Sequence, residues 1–117
     1  MALERVVPNL TVDDLGRAVA EHSTALGMRV LMDHGWILTL GDDTGHQLSL
    51  MTRDASAHVN PDVSVFVDDV LAVHARVEAA GLEIVHPLTD EPWGVTRFFY
   101  RAGDGRVVNV GTHTASR

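Results

Sequence analysis

Leu10-Thr11-Val12-Asp13-Asp14-Leu15, running on to Ala25-Leu26-Gly27-Met28-Arg29-Val30, returns later in the chain as Val65-Phe66-Val67-Asp68-Asp69-Val70, running on to Ala79-Ala80-Gly81-Leu82-Glu83-Ile84. The offset is 55 residues at the aspartates, Asp13 to Asp68, and 54 at the glycines, Gly27 to Gly81. An offset that holds through an alternating run, a helical run and a second alternating run marks an internal repeat, and such a repeat reports architecture before any single element does. The chain reads as one structural unit written twice. Two copies of a sheet-forming unit leave a space between them, which is the first place to look for function.

Working outward from the first copy, Glu4 to Val12 alternates as a strand. Asp13 or Asp14 supplies an N-cap, because a carboxylate there accepts from the unsatisfied N–H groups of the first turn. Leu15, Ala18, Val19, His22 and Leu26 then mark one helix face, and Gly27 ends it. Strands are predicted at about 28–33, 36–40 and 46–52, separated by Asp33-His34-Gly35 and by Gly41-Asp42-Asp43-Thr44-Gly45. Residues 53–61 have the composition of a linker. The second copy predicts a strand at 62–67, a helix at 69–80 carrying Val70, Val73, Val77 and Ala80, a stop at Gly81, and strands at 83–88, 95–101 and 106–111. The expected fold class is α+β: two tandem βαβββ modules, about 4–52 and 62–113, within one domain over 1–117, forming a curved mixed sheet around a cleft with helices on its outer face.

Side-chain alternation separates the two faces of that sheet. Leu10, Val12, Leu48, Leu50, Val63, Val65, Val67, Val108 and Val110 share one parity, an apolar face suited to lie under the helices. The other parity reads Val7, Asn9, Thr11; Gln47, Ser49, Met51; Asp62, Ser64, Phe66; and Val107, Asn109, Gly111. This mixed face is either a solvated sheet back or the lining of a wet cleft. Tandem halves must pack against something, which favours the cleft.

Composition narrows the function classes. With 117 residues the chain is long enough for one core, and with no cysteine it has neither disulfides nor thiol chemistry, which fits a reducing compartment. No run approaches the roughly 18 apolar residues of a membrane span, and Met1-Ala2-Leu3-Glu4-Arg5 has no signal-peptide shape, so a cytoplasmic location is expected. Nine basic residues, all arginine, against sixteen acidic ones give a net charge of -7. Such a field disfavours nucleic acid and anionic membranes as partners and leans toward cationic small molecules.

Taken together these residues resemble the vicinal oxygen chelate superfamily, the group of glyoxalase I, extradiol dioxygenases, fosfomycin resistance enzymes and bleomycin resistance proteins. The resemblance spans Pro8 to His113. It is carried by Pro8-Asn9-Leu10-Thr11-Val12-Asp13-Asp14-Leu15, Leu26-Gly27-Met28, Val67-Asp68-Asp69-Val70, Ala79-Ala80-Gly81, Glu91-Pro92-Trp93-Gly94, Phe98 and Gly103-Asp104-Gly105. Thr96 stands where the family often has Arg, and Ala102-Gly103 replaces its common Asp-Pro. The resemblance implies paired βαβββ modules around a cleft, and a homodimer.

Metal enzymes of that family hold a divalent ion with His, Gln and Glu side chains at four strand positions. By the resemblance these fall on Val7, Ser49, Asp62 and Asn109, of which only Asp62 is a good donor for a hard ion. The expectation is no metal and no cofactor. His22, His34, His46, His58, His74, His86 and His113 are scattered with no H-x-x-x-H pair; His22 reads as a packing residue, His34, His46 and His58 as loop residues, and His86 as near the cleft rim with nothing beside it that argues for a role.

Trp36 and Trp93 are the aromatic candidates for contact, Trp93 because Pro92-Trp93-Gly94 is a loop tripeptide that borders the ligand cleft in antibiotic-binding relatives. The expected function is metal-independent binding of a flat or cationic compound such as an antibiotic. Asp62 would supply the charge, Asn9, Gln47, Ser49, Ser64 and Asn109 hydrogen bonds, and Trp93, Trp36 and Phe66 aromatic contacts. The alternatives are a metal-free lyase, isomerase or cyclase of secondary metabolism with Asp62 as a buried general base, and a glyoxalase-like or dioxygenase-like metal enzyme with atypical ligands.

Overall fold

The computed structural model describes residues 2–114. Its elements follow in the order β1 (Leu3–Thr11), α1 (Leu15–Leu26), β2 (Arg29–Asp33), β3 (Ile37–Gly41), β4 (Gln47–Met51), β5 (Val63–Val67), α2 (Val70–Ala79), β6 (Glu83–Glu91), β7 (Val95–Arg101) and β8 (Val107–His113). This is βαβββ written twice, as the repeat implies. The chain divides into two compact units: the first is Val7–Asn60, and the second runs from Pro61 onward and includes the residues up to Val6. Ala2 belongs to the second unit through two bonds, its N–H donating to Asp68 Oδ1 at 2.7 Å and its carbonyl accepting from the Asp68 N–H at 3.1 Å.

In the first unit the strands lie in the order β2-β3-β4-β1, with β1 parallel to β4 and the other pairs antiparallel. The helix begins where Asp14, not Asp13, accepts from the Arg17 N–H at 3.0 Å, and ends at Gly27, whose φ of 67° needs a residue without a Cβ. Its buried face sets Ala18 on Leu40 and Leu50, with Val12, Leu15, Val19, Met28 and Leu48 around them. Leu10, expected on that apolar face, is 38% exposed instead.

The second unit repeats the plan with strand order β5-β8-β7-β6, β5 parallel to β8 and the remaining pairs antiparallel. Asp69 caps α2 by accepting from the Ala72 N–H at 3.1 Å. The core gathers Phe98, Val67, Val70, Val77, Val108 and Val110, with Val63, Val65 and Tyr100 packed against it. Phe98 is fully buried; cutting such a ring to alanine costs about 3–5 kcal/mol.

Strand β6 departs most from its predicted form. It runs on to Glu91, because Pro92-Trp93-Gly94 is a tight hairpin turn and pairing continues as far as Glu91↔Val95. It also carries two bulges around Pro87, between Ile84 and His86 and between His86 and Thr89. Each inserts one residue on the β6 side and reverses the parity of the residues beyond it. Proline is tolerated here because β6 is the last strand of the order and an edge strand has no second partner. Among the described residues no helix is long and apolar enough to cross a membrane.

Candidate ligand-binding site

The face of each sheet turned away from its helix is polar, as the alternation predicts, but buried: Asn9 is 7% exposed, Ser49 4%, Ser64 7% and Asn109 7%. In the first unit the pairing aligns Asn9, Ser49 and Thr39 across β1, β4 and β3, and the hydroxyls of Ser49 and Thr39 meet at 3.1 Å. Gln47 is half-buried opposite Gly41. Trp36 precedes β3, is half-buried, and its carbonyl accepts from the Thr52 N–H at 3.0 Å.

In the second unit the equivalent row runs Ser64, Asn109, Phe99, His86 across β5, β8, β7 and β6. Asn109 Nδ2 donates to Ser64 Oγ at 3.0 Å, and Asn109 Oδ1 is buried with no hydrogen-bond partner among the described residues. A buried carbonyl left in that state costs about 1–3 kcal/mol, which a donor from a ligand or a water would recover.

Beside this row sits a cluster that strand alternation did not reveal. Arg97 and Glu91 are both buried, and Arg97 Nε and Nη2 lie 2.9 and 2.7 Å from Glu91 Oε2. The guanidinium carbon is 5.0 Å from the Trp93 ring centroid and 4.8 Å from that of Phe99. His86, also buried, packs its ring 4.9 Å from Phe99 and places Nε2 3.9 Å from Glu91 Oε2. His86 and Glu91 are five apart, an odd spacing that puts residues on opposite faces of a regular strand; the bulge between His86 and Thr89 brings them to one face. Trp93, in the turn above, remains 42% exposed.

Phe66 is held differently. His113 stacks on it at 4.7 Å and 11°, Arg5 lies 4.1 Å from its centroid, and Arg5 Nη2 meets His113 Nε2 at 2.7 Å. Burial, and then the neighbouring Arg5 charge, push His113 below the ordinary histidine range, while burial also lowers Arg5. Gly111 makes room for this packing: a Cβ there would lie 3.2 Å from Val95 Cγ1 and 3.5 Å from Phe66 Cε1.

Asp62 is exposed at the mouth of β5, its Oδ2 accepting from the Val107 N–H at 2.8 Å. The burial that a general base here requires is not what the structure shows. The second unit thus brings buried Ser64 and Asn109, half-buried Phe66 and exposed Trp93 onto one polar and aromatic face, with Asp62 at its edge. To them it adds Arg97, Glu91, His86, Phe99, Arg5 and His113.

Residues 3–110 match the profile of the Glyoxalase/Bleomycin resistance protein/Dioxygenase superfamily. The chain belongs to this superfamily. Solved structures share its fold: a Vibrio splendidus superfamily member at 22% identity and TM-score 0.73, covering 95% of this chain and 99% of that one; and a Streptomyces coelicolor methylmalonyl-CoA epimerase variant in complex with 2-nitronate-propionyl-CoA, at 16% and 0.71, covering 96% and 99%. A further match, described as an NAD-dependent benzaldehyde dehydrogenase from Legionella pneumophila, aligns at 16% and 0.76, covering 93% and 99%. No curated protein matches the sequence.

Superfamily metal enzymes raise the question of whether this donor set fits a divalent ion, and it does not. Val7 offers no donor, the Ser49 hydroxyl is engaged with Thr39, Asn109 is a neutral amide bonded to Ser64, and Asp62 alone is a carboxylate. Among the described residues no three His, Asp or Glu side chains converge as a metal-binding group. A catalytic ion of this class is held by about three good protein donors.

Proposed function

We propose that this superfamily member is a metal-independent binding protein that sequesters a flat, cationic small molecule without changing it chemically. The observation that carries the reading is Trp93, an indole 42% exposed in a tight turn and backed by the buried Arg97–Glu91 pair. Arg97 holds the ring in place from below and leaves surface for a flat ligand to stack on. Such stacking adds about 0.5–1.5 kcal/mol beyond burial. The unsatisfied Asn109 Oδ1 supports a ligand that carries N–H donors, and the exposed Asp62 and the net charge of -7 support a cationic one. Asn9, Gln47, Ser49 and Trp36 are proposed as ligand contacts on the first unit's own polar face, and the assembly as a homodimer.

A base-catalysed reaction is the weaker reading, because Asp62 is exposed and accepts from a backbone N–H. The test is titration of Trp36→Phe protein, in which Trp93 is the remaining tryptophan, with bleomycin and with doxorubicin, followed by mass spectrometry of the recovered compound. Saturable quenching with unaltered compound supports the reading. Quenching absent for both probes, or a chemically altered product, counts against it.

A further inference from the structure

On the helix-bearing side of the second unit's sheet, a half-open cavity of about 280 Å³ lies between α2 and the strands. Val65 and Val110, paired across β5 and β8, form its floor, and Val73 on α2 forms a wall. Leu3 and Leu82, 64% and 37% exposed, stand at its rim. Two residues with polar groups join this lining, Tyr100 and Arg76; no acidic residue does. Arg76 makes no ion pair or side-chain hydrogen bond among the described residues.

We propose that this groove binds a medium-chain carboxylate, with the alkyl chain along Val65, Val73 and Val110 and the carboxylate on Arg76. Size, polarity and charge all bear on the choice. At roughly 30 Å³ for a group the size of a water molecule, the cavity holds about nine such groups, the volume of one alkyl chain rather than of a protein segment. Its walls reward apolar burial and offer a chain nothing to hydrogen-bond along its length. The one charge in the lining is a cation, and a guanidinium takes a carboxylate through paired N–H donors. The site lies on the other face of the sheet from Trp93 and does not depend on the function proposed for that face.

The test is a titration of nitrogen-15-labelled protein with decanoate and, separately, with 1-decanol, for wild type and Arg76→Gln. Saturable shifts are expected at the amides of Val65, Val73, Arg76 and Val110. Arg76→Gln is expected to weaken decanoate about fivefold, the size of an exposed charge pair, and to leave decanol unchanged. Val73→Trp, which fills the groove, should abolish both while the rest of the spectrum stays native. No saturable shifts up to the solubility limit, shifts confined to Trp93 and Phe99, or equal weakening of both ligands by Arg76→Gln would overturn the proposal. So would concentration-dependent shifts at Val65 and Val73 without ligand, which would assign the groove to a second copy of the chain.

Discussion

Arg97 turns both Nε and Nη2 onto one oxygen of Glu91, at 2.9 and 2.7 Å, with both side chains about 5% exposed. Taking two charges out of water is costly, and their attraction offsets that cost only while both are present. Glu91→Gln is therefore expected to lose about 3–5 kcal/mol by leaving a buried cation poorly paired. The double change Glu91→Leu with Arg97→Met should recover most of that loss. Urea denaturation of the three proteins, wild type, single and double variant, checks both statements; a double variant no better than the single would mean that the pair contributes through packing alone.

Trp93 should behave in the opposite way. Its ring is partly exposed and packs on Arg97, so Trp93→Ala is expected to cost about 1 kcal/mol or less of stability. The same substitution should weaken a stacked flat ligand by about three- to tenfold. Denaturation and a ligand titration by calorimetry separate the two effects.

His113 makes stability depend on pH. Its folded pKa is held below the ordinary value, first by burial and then by Arg5, so the unfolded chain takes up the proton more readily. The neutral ring's contribution is complete above the unfolded pKa, about 6.5, and is lost as pH falls from there toward the folded value. Denaturation at pH 7.5 and at about 5.0 should therefore show a larger drop for wild type than for His113→Phe. Equal drops would remove His113 from the account.

The helix starts give a sharp contrast. Asp14 accepts from the Arg17 N–H and should lose about 1 kcal/mol on change to alanine, whereas exposed Asp13 should change stability by less than about 0.5 kcal/mol. Thermal melts of the two variants decide which aspartate is the cap. At Gly111 a methyl would press on Val95 at 3.2 Å, and about 1–3 kcal/mol is expected for Gly111→Ala.

The contrast between these residues shows what sequence patterns carry. A cap at Asp13 or Asp14, the stop at Gly27 and the Val65/Val67/Val110 parity were legible because capping and strand alternation are local rules that tertiary structure left intact. His86, Glu91 and Arg97 were not, because two bulges around Pro87 shift the parity of β6, and Val95 to Tyr100 carries large side chains on both faces. One signal was present: Glu91 and Arg97 flank Pro92-Trp93-Gly94, and a tight turn there brings opposite charges together across a hairpin. Leu10 fails for another reason, since parity names a face and not what covers it.

Metal independence rests on the shortage of donors at Val7, Ser49, Asp62 and Asn109, and calorimetric titration of the chelator-stripped protein with nickel, zinc and manganese probes it without intermediaries. No stoichiometric binding of any of the three ions is expected. One-to-one binding in the micromolar range or tighter would contradict it and place the protein with the metal-dependent enzymes of its superfamily.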